Sequence, residues 1–84
     1  MVVAFTSFPL FSSVALADLQ AAQKAYDAGR YELAYSIWLP MAHGGHASAQ
    51  YNLATLYRFG RGIEVSTPVA MEWYRRAARQ GHAL

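Results

Sequence analysis

From Asp18 onward, apolar residues recur at three- and four-residue intervals with polar residues between them; before Asp18 the chain is apolar without a period. The clearest stretch is Ala70, Trp73, Tyr74, Ala77 and Ala78, at i, i+3, i+4, i+7 and i+8, one face of an α-helix. Glu72, Arg75, Arg76 and Arg79 take the other side. Ser66 or Thr67 can cap this helix with its hydroxyl, Pro68 suits its first turn, and Gly81 can close it in a left-handed conformation. A partner helix over about 46–59 sets Ala49, Leu53, Leu56 and Tyr57 on one side and ends at Gly60. Two further helices, about 18–28 and 31–43, are separated by Gly29-Arg30-Tyr31 and closed by Gly44-Gly45. Pro40 lies inside the second of these and should kink or weaken it, because it removes one i to i−4 hydrogen bond.

The pattern repeats. An offset of 36 lays Ala34, Ile37, Trp38, Met41, Ala42, Gly45 and His46 on Ala70, Trp73, Tyr74, Ala77, Ala78, Gly81 and His82. Upstream, an offset of 31 lays Ala22, Ala25, Tyr26 and Gly29 on Leu53, Leu56, Tyr57 and Gly60. The difference of five is an insertion in the second unit's loop, Gly60 to Ser66. Each unit is an αα-hairpin in which alanines beside large aromatics allow close helix approach. A hairpin of this kind cannot bury its apolar face alone, so units stack and their surfaces bind partners. The fold expected is all-α, with αα-hairpin repeats forming a short right-handed α-solenoid: one hairpin over 18–45, a second over 46–81, and at 82–84 the start of a truncated next repeat. A missing next helix would leave an apolar edge with Trp73 and Tyr74, open to a partner or to self-association.

The stretch AQYNLATLYRFGRGIEVSTPVAMEWYRRAARQGHA, residues 49–83, resembles a Sel-one-like repeat, a relative of the tetratricopeptide repeat with a longer, glycine-bearing loop. The residues that carry the likeness are Ala49, Leu53, Tyr57, Gly60, Gly62, Ile63, Ala70, Trp73, Tyr74, Ala77, Ala78 and Gly81. Ala54 stands where that family usually has glycine, which implies slightly wider helix packing, and Ser66 where it usually has aspartate as the cap. The preceding hairpin is similar to the tetratricopeptide-like leader found before such arrays in exported bacterial proteins. The resemblance implies a non-catalytic scaffold or adaptor that holds a protein or peptide, with no cofactor.

Met1 to Ala17 carries no ionisable side chain. It falls short of the roughly 20 apolar residues that span a bilayer and is interrupted by Pro9 and three serines, Ser7, Ser12 and Ser13. Ala15-Leu16-Ala17 has the small-x-small form of a signal-peptidase site, with cleavage expected before Asp18. The segment lacks the Lys or Arg usual at the front of such signals. The expected location is periplasmic or secreted; left uncleaved, the segment would make an inner-membrane anchor.

Charge and chemistry narrow the function further. Seven Lys/Arg against five Asp/Glu is a mild excess that does not force an anionic partner. Arg58, Arg61, Arg75, Arg76 and Arg79 cluster in the second unit, but at the spacing of a solvated helix face, so nucleic acid is not expected and a basic-patch binder of anionic ligands ranks below a protein binder. The chain has no cysteine, and His43 and His46 have no third metal donor near them in sequence. No nucleophile elbow, phosphate loop or zinc-protease motif occurs, so no catalytic or metal residue is assigned. Tyr26, Tyr51, Tyr57, Trp38, Trp73 and Tyr74 divide between core and docking roles. Trp38, Tyr51, Trp73, Tyr74, Arg75 and Arg79 are the candidates for contact with a partner.

Overall fold

The computed structural model describes residues 7–81, and side chains from Leu16 onward. Four helices follow one another: α1 (Ser7–Asp27), α2 (Tyr31–His43), α3 (Ala47–Phe59) and α4 (Thr67–Arg79). No strand occurs among the described residues. α1 packs on α2, α2 on α3 and α3 on α4, so two αα-hairpins stack side by side. The chain is a solenoid of helical hairpins.

The turns share one chemistry. Gly29 N–H donates to Tyr26 C=O at 3.0 Å and Arg30 N–H to Ala25 C=O at 2.8 Å; Gly45 and His46 repeat the pair on Ala42 and Met41 at 3.0 Å each. These bonds satisfy carbonyls that the ending helix leaves without donors, and they reverse the chain within three residues. α4 starts on Ser66, whose Oγ accepts from Val69 N–H, with Pro68 in the first turn. α1 starts eleven residues earlier than the periodicity suggests, because Pro9 falls in its first turn, where a missing N–H costs nothing. α2 runs through Pro40 for three more residues. The carbonyl deprived of its donor belongs to Ser36, which is exposed, so water can serve it.

The core is a ladder of alanines and a few large side chains: Ala22, Ala25, Ala34, Trp38, Ala42, Ala49, Leu53, Ala54, Leu56 and Trp73. Ala54, where the expected pattern has glycine, is fully enclosed. Trp38, Leu53 and Leu56 are the largest fully buried side chains. The expected start of a further repeat at 82–84 lies outside the described residues.

The inserted loop of the second hairpin is fastened back onto the first. Gly62, at φ +76°, lies so close to the start of α2 that a Cβ there would be 2.7 Å from Tyr31 C and 2.8 Å from Glu32 N. Next to it, Arg61 donates from Nη1 to the Tyr26 hydroxyl, and its guanidinium lies 5.8 Å from the Tyr26 and Tyr31 ring centres and 5.0 Å from that of Phe59. Cation–π contacts of this kind contribute about 0.5–1 kcal/mol each where exposed. One loop thus joins two repeats.

Candidate interaction surface

The interface between the hairpins shows what a filled seat looks like in this chain. α3 lies over α2 and presents Gln50, Leu53, Ala54 and Tyr57, an i, i+3, i+4, i+7 stripe. Gln50 is 4% exposed; its Nε2 donates to Ala42 C=O at 3.1 Å, while its Oε1 accepts from Gln80 Nε2 at 2.9 Å. A buried amide of this sort is stable only because both of its ends are bonded. The Tyr57 and Tyr35 hydroxyls lie 3.0 Å apart and their rings meet edge-on at 5.9 Å. Burial, reinforced by Tyr35, pushes the Tyr57 hydroxyl up to about 12.

On the far side of the second hairpin a groove of about 560 Å³ opens between α3 and α4. Tyr51, Arg58 and Phe59 form one wall, and Thr67, Ala70, Met71 and Tyr74 the other. Tyr51 and Tyr74 meet edge-on at 5.3 Å, and the Tyr74 hydroxyl lies 3.1 Å from Thr55 Oγ1, so the floor is held rigid. Met71 is 49% exposed and Phe59 53%. Apolar side chains beside an aromatic floor, with only a few polar groups, suit a protein segment better than a small polar ligand.

The six candidates for partner contact separate clearly. Trp38 and Trp73 are core residues, 2% and 6% exposed, and offer a partner almost nothing. Trp38 lies 5.8 Å from the Tyr26 ring; Trp73 meets His43 edge-on at 5.0 Å and is covered by the Arg76 guanidinium at 4.7 Å. Sequence periodicity cannot tell the buried side of an aromatic stripe from its open side; neighbouring helices decide that. Tyr51 and Tyr74 do line the groove. Arg75 is exposed on α4 and donates to Glu72 at 3.0 Å, as Arg76 does at 3.1 Å, and the bond from Arg76 leads in holding the Glu72 carboxyl below its ordinary range. Arg79 is exposed and makes no salt bridge among the described residues, although its charge adds to the lowering of Glu72. Arg58, Phe59 and Met71 were not among the candidates, although Phe59 and Met71 are apolar residues off their helices' buried stripes, a signal visible in the sequence. His43 and His46 belong to no group of three potential metal donors among the described residues.

Residues 47–82 match the family model of the Sel1 repeat. They are a Sel1 repeat. Repeats of this family generally serve as non-catalytic modules for protein–protein binding. The Sel1 repeat of this chain comprises α3, the clamped loop and α4, so the groove belongs wholly to it. Comparison with curated proteins and with solved structures found no match.

Proposed function

We propose that this chain is an exported interaction scaffold: the segment before Asp18 directs export and is removed, and the hairpins hold a protein partner. Support for export comes from the uncharged head ending in Ala15-Leu16-Ala17. It also comes from the packing on either side of the cleavage point. Leu16, Ala17 and Asp18 are exposed in α1, whereas Leu19 packs on the core and Ala22 is part of it. Cutting before Asp18 therefore takes away none of the core side chains described. Support for the scaffold role is the rigid, aromatic-floored groove of the Sel1 repeat, the observation that carries the reading.

The test is intact mass and location in a bacterial host expressing the chain with its own N-terminus. A periplasmic species that begins at Asp18 is expected. A full-length species in the membrane fraction would replace this reading with an anchored envelope scaffold; no described helix is long and apolar enough to cross a membrane. A full-length cytoplasmic species would end the export reading.

A further inference from the structure

Repeat equivalence identifies what the open groove is shaped to hold. At an offset of 36, its α4 wall residues Thr67, Ala70, Met71 and Tyr74 correspond to Tyr31, Ala34, Tyr35 and Trp38 of α2. That α2 surface is the seat of α3: Ala34, Trp38 and Ala42 are buried there, and Tyr35 and Ala42 are bonded to Tyr57 and Gln50 of α3. On α4 three of the equivalent positions are less covered, Met71 and Ala78 being exposed and Tyr74 half-buried, while Ala70, the counterpart of Ala34, is buried. The groove therefore has the shape of a seat for one helix with a stripe like that of α3.

Its charge differs from that of the filled seat. Where the first hairpin has Asp27, Leu39 and His43, the second has Arg58, Arg75 and Arg79. Arg58 stands in one wall of the groove; Arg75 and Arg79 do not line it but follow Met71 at i+4 and i+8 on the exposed side of α4. Among the described residues, Glu72 is the only carboxylate in a salt bridge, and neither Arg58 nor Arg79 touches it. Residues 47–81 hold five arginines against two glutamates. We infer that the Sel1-repeat groove binds an amphipathic helix of a partner protein, apolar and small along its docking stripe and acidic beside it. This rests on the scaffold reading above but not on export, so the two fail separately.

The probes are helical peptides copying residues 46–60, the helix that fills the first seat. One version has Ala47→Glu, Tyr51→Glu and Arg58→Glu, which lie beside the docking stripe; the other has lysine at the same three positions. Titration onto the fluorescently labelled full chain should show saturable binding of the glutamate peptide. The lysine peptide should bind at least about tenfold more weakly, and added salt should narrow the gap. Met71→Asp should weaken the glutamate peptide by at least about tenfold, since it puts a charge on a desolvated wall. Arg58→Ala with Arg79→Ala should abolish the preference between peptides. Leu33→Asp, on an exposed position of α2 outside the groove, should change neither. Unchanged helical circular dichroism of each variant separates loss of binding from loss of fold. No binding of either peptide, equal binding of both, or indifference to Met71→Asp would overturn the assignment. So would concentration-dependent self-association abolished by Met71→Asp, because the occupant would then be a second copy of this chain.

Discussion

One methyl group added at Gly62 tests whether the loop of the Sel1 repeat is a structural joint between the hairpins. The residue sits at φ +76°, a region that costs an L-residue about 1–2 kcal/mol. In addition, the new Cβ would be 2.7 Å from Tyr31 C and 2.8 Å from Tyr31 Cβ and Glu32 N, mostly backbone that cannot swing aside. Carbon pairs are at ease near 3.5–4.0 Å, and relieving such overlaps costs typically about 1–3 kcal/mol. Gly62→Ala should therefore lose about 2–5 kcal/mol. Gly29→Ala is the matched control: φ is +81°, but no atom lies within 4 Å of the added Cβ, so only the conformational part, about 1–2 kcal/mol, applies. Urea unfolding followed by circular dichroism measures both. With a slope of about 1 kcal/mol per molar for a small chain, Gly29→Ala should lower the midpoint by about 1–2 M and Gly62→Ala by about 2–5 M. A chain of this size is stable by only about 4–12 kcal/mol, so if Gly62→Ala unfolds in water, a stabilising osmolyte returns both variants to one scale. Equal losses for the two variants would refute the reasoning, since the loop would then not be seated on α2.

Three other outcomes follow from the packing. Tyr57 keeps its proton to about 12 in the fold, whereas an unfolded tyrosine loses it near 10, so stability should be intact below pH 10 and fall as pH rises towards 12; Tyr57→Phe should reduce that fall in urea midpoints taken across the range. Gln50→Glu should place a carboxyl against the Ala42 carbonyl in a buried site, costing at least about 2 kcal/mol at pH 7 and progressively less as acid protonates it, which midpoints at pH 4 and pH 7 would reveal. Trp38→Ala should lose about 3–5 kcal/mol, and Tyr74→Ala clearly less, because Tyr74 is only partly buried; comparable losses would mean that the groove is not open.

The four helices and their pairing were legible because helix signals are local. Periodicity, Ser66, Pro68 and the glycines act within one or two turns of where they stand, and two offsets aligned the repeats without any knowledge of contacts. Two prolines show the reach of the longer element: Pro9 interrupts the apolar run yet lies in the first turn of α1, and α2 continues for three residues past Pro40, which leaves without its donor the carbonyl of Ser36, an exposed residue. The aromatic stripe was legible as a stripe but not as an inside and an outside. Trp73 and Tyr74 are adjacent in sequence and equally apolar in pattern; one closes the core and the other floors the groove.

What the sequence determined by itself is the set of helices, their order in two hairpins, and the Sel1-repeat pattern of the second, since all of these depend on neighbours within a few residues. Tertiary structure alone decided which side of each aromatic stripe is buried. It also made Gln50 a buried staple, turned Arg61 and Gly62 into the joint with the first hairpin, and left Tyr51, Met71 and Tyr74 facing an open groove. Those outcomes depend on which helix lies against which, over separations of 8 to 35 residues in the hydrogen bonds that record them, and no pattern within one helix encodes such contacts.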